Sequence, residues 1–190
     1  MAKPKSRSLL FHDMAHHAIL VVQAHVETLG YRFDTHWTVP DTMRGSATFD
    51  GQTVTLNAPR PTTAWALAIV LHELGHILHG HLWRSQEYVG RPYSEELEER
   101  MHREYEERRV PNEVEASRFA LNIIHSPGHA LKSEERTEAE LFLIQCLTNY
   151  GLDMQEAANR LNVPLKAAPY LVGPGQPFGN VQFTIQVPTP

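Results

Sequence analysis

The stretch from Ala64 to His79 reads Ala-Trp-Ala-Leu-Ala-Ile-Val-Leu-His-Glu-Leu-Gly-His-Ile-Leu-His, and it constrains the fold more than any other. Thr62 or Thr63 can cap it and Gly80 follows it, so it reads as one helix. Ala, Trp, Leu, Ile and Val occupy nearly every side of that helix, the mark of a helix buried all round. Yet His72, Glu73 and His76 stand in its middle. Unpartnered polar groups in an apolar interior cost several kcal/mol. The rest of the chain must therefore wrap this helix and bring polar partners to three of its side chains.

The three residues form the pattern HExxH, His72-Glu73-Leu74-Gly75-His76. Positions i and i+4 lie about 40° apart around a helix, so both imidazoles share a face and can bind one ion. Glu73, one step on, falls beside that ion's open position, where a carboxylate can take a proton from water. Gly75 leaves room for another element to come close. The chain holds 12 histidines in 190 residues, which raises the chance of a fortuitous HExxH, so the apolar setting carries the argument. His12, His16, His17 and His25 sit in a first helix, from about Ser8 to Leu29, and are read as surface or half-buried.

A catalytic zinc takes a third protein ligand and keeps an open site. The candidate lies in Asn112-Glu113-Val114-Glu115-Ala116-Ser117-Arg118-Phe119-Ala120. Glu113, Ala116, Ser117 and Ala120 fall at i, i+3, i+4 and i+7, a stripe of one carboxylate and three small residues. That stripe lets a second helix pack close to the histidine helix. Glu113 is favoured over Glu115, which points about 160° away from it, and Ser117 is placed to support a ligand. His79 is read as a structural hydrogen-bonding residue. His125, His129, Tyr88 and Tyr93 are open candidates for polarising a substrate carbonyl.

The remaining pattern predicts an α+β, mostly helical domain over residues 1–172. Within it a small antiparallel sheet spans about 31–57, with Asp50-Gly51 as a hairpin turn. The metal helix spans about 63–81, a glutamate helix starting after Pro111 spans about 112–125, and C-terminal helices span 133–172. Ser94 to Arg109 mixes acids and bases at helical spacing, as a solvated helix does. A Gly/Pro linker and an alternating strand occupy 173–190.

A formal charge of −5 argues against nucleic acid or an anionic membrane as partner. The one cysteine, Cys146, lies in an apolar helical run and reads as core; it excludes an internal disulfide and a Cys-rich zinc framework. No apolar run is long enough to cross a bilayer, and a cytoplasmic protein is expected.

His72-Glu73-Leu74-Gly75-His76-Ile77-Leu78-His79, followed by Glu113-Val114-Glu115-Ala116-Ser117-Arg118-Phe119-Ala120, resembles the ImmA/IrrE metallopeptidase family, with its HELGHxxLH helix and later ExEAxxFA helix. The resemblance takes in the preceding helix and sheet and the stretch from Leu141 to Leu171. It implies a zincin-like zinc peptidase of the gluzincin type, with His72, His76 and Glu113 as Zn²⁺ ligands and Glu73 as catalytic base. It also implies a protein substrate, a transcriptional regulator or repressor among the expectations. The competing expectation is a non-catalytic regulatory module with a structural or sensory metal. Here Ile123-Ile124-His125-Ser126-Pro127 replaces the family's apolar run ending in Met-Pro, and the tail beyond Gly173 has no counterpart.

Overall fold

The computed structural model describes residues 7–38, 44–83, 94–128 and 131–165. The expected last helical piece and the C-terminal strand lie outside the described residues, as do His129, Tyr88 and Tyr93. In chain order the elements are α1 (Arg7–Thr28), β1 (Arg32–Thr38), β2 (Ser46–Phe49), β3 (Thr53–Pro59), α2 (Ala64–Leu78), α3 (Glu95–Ile124), α4 (Ser133–Thr148) and α5 (Met154–Leu161). The fold is α+β and mostly helical, as expected.

α2 is the centre. Thr63 caps it by accepting from the Ala66 N–H, and all its residues are buried except Trp65 and Leu78. α1, α3, α4 and the strands β2 and β3 all pack on it. α1 does so through Phe11, Met14, Ala15, Ala18, Ile19, Val22 and Val26, an i, i+3, i+4 stripe that leaves Val21 exposed and His12, His16 and His17 in solvent. α4 contributes Phe142, Leu143, Ile144, Cys146 and Leu147. No helix among the described residues is long and apolar enough to cross a membrane.

The sheet is mixed rather than antiparallel, with order β1-β3-β2. Val54, Leu56 and Ala58 give β3 a fully buried face, so β3 takes the middle. The tight turn pins β2 antiparallel on one edge, and β1 is left to pair in parallel with the other, Arg32 opposite Thr53 through Thr38 opposite Pro59. The turn is centred on Gly51-Gln52, one residue later than expected. Asp50 opens it, and its Oδ1 accepts from the N–H groups of Gln52 and Thr53 at 2.8 and 2.7 Å.

The expected break at Pro111 does not occur. The charged segment and the glutamate segment are one helix of 30 residues, α3, with Pro111 inside it. A proline removes the bond to the carbonyl four residues back. Here that carbonyl belongs to Glu107, and both residues are exposed, so water can satisfy it. Pro111 marks instead where α3 passes from solvent into the core. Before it run exposed charges, including the Arg100–Glu104 pair at 3.0 Å, and from Glu113 onward the inner stripe is buried.

Candidate metal centre

α2 and α3 touch backbone to backbone. A Cβ built on Gly75 would lie 2.7 Å from the Ala116 Cα and from its carbonyl oxygen, so only glycine allows the approach. The small-residue stripe of α3 is the surface that meets it, with Ala116, Ser117 and Ala120 each at 0% exposure. One turn before Ala116, Glu113 is thereby delivered to the two histidines of α2.

His72 Nε2 lies 3.0 Å from Glu113 Oε2 and 3.1 Å from His76 Nε2, while His76 Nε2 lies 3.4 Å from Glu113 Oε1. Ligand atoms 2.0–2.1 Å from a tetrahedral ion stand about 3.3 Å apart. The three donors are already spaced like the edges of such a shell, and they form the metal-competent cluster found among the described residues. All three residues are buried. Two imidazole nitrogens facing each other at 3.1 Å need a proton or a cation between them. Burial opposes the charge of Glu113, but the two imidazoles, His76 above all when it carries both ring hydrogens, outweigh it and hold the carboxyl far below its ordinary value.

The far sides of both rings are engaged. His72 Nδ1 meets Ser117 Oγ at 3.1 Å, the contact expected of Ser117. His76 Nδ1 meets His81 Nδ1 at 2.9 Å, and His81 Nε2 meets Glu115 Oε2 at 3.0 Å. Glu115 thus serves a neighbouring histidine while Glu113 reaches the centre. His79 caps α2 at the surface, its ring beside His81 and Phe119. His125 sits at the far end of α3, paired with Glu140 at 2.9 Å, about 18 Å along the helix from Glu113. Neither is brought to the cluster.

Glu73 faces β2. The Ala47 N–H donates to its carboxylate, and a Cβ on Gly45 would lie 2.7 Å from Glu73 Cγ. Burial pushes the carboxyl up to about 7, against the pull of His76; the like charge of Glu113 adds to the rise and the Ala47 N–H opposes it. Cys146 is buried nearby, its thiol raised by burial and by the charges of Glu113 and Glu73, so it is core rather than a nucleophile.

Two participants escaped the sequence. Tyr150, just past α4, donates its hydroxyl to Glu113, and the Arg109 guanidinium lies 5.3 Å from its ring centroid. Burial, then the charge and hydrogen bond of Glu113, raise the phenol well above its ordinary value. No periodic signal links it to α3. His81 did carry a signal, Gly80. At φ +70° Gly80 ends α2 in the left-handed region, with bonds from the Gly80 N–H to the Ile77 carbonyl and from the His81 N–H to the His76 carbonyl. That double bond is a Schellman motif, which lays the residue after the glycine against the one five before it.

Comparison with protein-family models, with curated protein sequences and with solved structures returned no match.

Proposed function

We propose that the chain is a zinc-dependent peptidase that cleaves a peptide bond in a protein substrate. The observation that carries this reading is the placement of Glu73, a buried carboxyl adjoining a buried three-donor cluster and held by the edge of a strand. His72, His76 and Glu113 would hold the ion. Two imidazole nitrogens and one carboxylate oxygen suit zinc, whereas calcium and magnesium take oxygen shells. Zinc supplies Lewis acidity for a water and for the scissile carbonyl. Glu73 takes the proton of the attacking water and returns it to the leaving amine. A structural site would need a fourth protein ligand, and among the described residues His79 and His125, which could have supplied one, are turned elsewhere, which favours an open position.

The sheet supports a peptide as substrate. Among the described residues β2 is an edge strand, and an antiparallel ladder turns the N–H and C=O of alternate residues outward. The Asp50 N–H bonds the Thr53 carbonyl and the Ala47 N–H bonds Glu73, so Ala47 and Phe49 are the outward residues. An extended chain pairing with that edge would lie alongside Glu73. The sequence resemblance favours a regulatory protein as the chain presented there.

The test is a metal-to-protein ratio together with cleavage of a proteome-derived peptide library by the full chain. One zinc per chain is expected, with cleavage stopped by a chelator and restored by zinc. Stoichiometric zinc without cleavage would favour the non-catalytic metal module, and protein without affinity for zinc would sink both readings. Tyr150→Phe removes the donor to Glu113 without changing ring packing. It is expected to weaken zinc binding about tenfold in a competition titration.

A further inference from the structure

The contact between His76 and His81 joins two Nδ1 atoms at 2.9 Å, so one must carry a hydrogen and the other must be bare. Which one is which follows from the far end. Glu115 Oε2, 3.0 Å from His81 Nε2, is a carboxylate oxygen and only accepts. His81 Nε2 therefore donates, and a neutral His81 keeps Nδ1 as its acceptor. His76 Nδ1 must then carry the hydrogen, which in the neutral ring leaves Nε2 bare and facing His72 and Glu113. We infer that Glu115 and His81 are positioning residues that hold His76 in its Nδ1–H tautomer, with Nε2 presented to the metal.

The elements make the chain of contacts firm. Gly80 closes α2 so that the His81 N–H bonds the His76 carbonyl at 3.1 Å, fixing one backbone against the other. The position after a Schellman glycine ordinarily makes an apolar contact with the helix. Here an imidazole takes it, buried at 9% exposure. Glu115 stands two residues after Glu113 on α3, so the helix that delivers the carboxylate ligand also delivers the relay's outer end. The side chain of Glu115 is 49% exposed and that of His81 1%, so the outer member can be changed with little disturbance to the core. Ligand histidines are commonly oriented by a carboxylate on the far ring nitrogen. In this chain the carboxylate acts through a second histidine.

The inference rests on the metal reading, and the experiment separates the two. The full chain, labelled with ¹⁵N-histidine and freed of metal, is examined by long-range ¹H–¹⁵N correlation to assign each ring's tautomer. Zinc affinity is then measured by competition with a chromophoric chelator. Wild type should hold His76 as the Nδ1–H form. His81→Leu should mix the tautomers and weaken zinc binding about 10–100-fold, and Glu115→Ala about tenfold. Glu115→Gln keeps an acceptor oxygen and should stay within about threefold of wild type. Adding Glu115→Ala to His81→Leu should cost nothing further, because Glu115 acts through His81. A neutral His76 with its hydrogen on Nε2 in wild type overturns the relay. So does zinc binding within twofold of wild type in both His81→Leu and Glu115→Ala, and Glu115→Ala alone decides if His81→Leu does not fold. If wild type takes up no zinc, the peptidase proposal fails while the tautomer spectrum still decides the relay.

Discussion

Glu73→Gln is expected to bind one zinc per chain and to lose peptide cleavage by a factor of about 10²–10⁴, the usual worth of a positioned acid/base. Glutamine has the shape of glutamate and keeps an oxygen for the Ala47 N–H, so the packing of α2 against β2 should survive. What it cannot do is take a proton from water. Stability provides the control. The Glu73 carboxyl rises from 4.5 to about 7 in the folded, metal-free chain. Between those values the unfolded chain has released the proton and the folded chain still holds it. Rising pH therefore costs wild type stability across that window, by on the order of 3 kcal/mol in all. The glutamine variant lacks this penalty, so metal-free Glu73→Gln should melt no lower than wild type at pH 8. Loss of cleavage with intact zinc and melting would then be chemical in origin. Retention of more than a tenth of wild-type cleavage would remove Glu73 from the role of base. On the peptidase reading the inactive variant should also hold its substrate longer, so it is the form to use in capturing a protein substrate.

The metal-competent cluster was legible because its cost is written into the chain. Three polar residues in an apolar helix require partners, and a carboxylate followed by small residues at helical spacing names where they come from. The course of α3 was less legible. Pro111 reads as a break because a missing N–H is local information, whereas solvent on both Pro111 and Glu107 is tertiary. The sheet divides in the same way. A turn residue such as Asp50 announces the β2–β3 hairpin, but the direction of β1 depends on which edge of β3 the hairpin leaves free. Tyr150 and the Ala47 N–H reach the site from a helix end and a main chain, neither of which has a periodicity to read. His81 was available in principle, since a glycine after a helix already specifies where the next residue lies.

Gly75→Ala sets local preference against tertiary contact, and its outcome measures how far the site depends on the approach of two helices. In an isolated helix, alanine is favoured over glycine by about 1 kcal/mol. Here the added Cβ would come within 2.7 Å of the Ala116 Cα and carbonyl oxygen, inside any real contact distance. The obstacle is backbone and cannot swing aside, so α2 and α3 must part. Overfilling a packed interior costs about 1–3 kcal/mol, and set against the helical gain it leaves a net loss of up to about 2 kcal/mol. For a chain of this size that corresponds to a fall of up to roughly 6 °C in Tm for the metal-free protein. The effect on the centre should be larger than the effect on the fold. Glu113 lies one turn from Ala116 on the same face, so a parting of the helices carries its carboxylate away from both Nε2 atoms. Zinc affinity should fall by at least about tenfold, the effect seen when a ligand loses its support. A variant that melted higher and bound zinc as tightly as wild type would mean that the closeness of α2 and α3 is incidental to the centre. The expected pairing of a modest melting loss with a large affinity loss would instead place the specificity of the site in one missing methyl group.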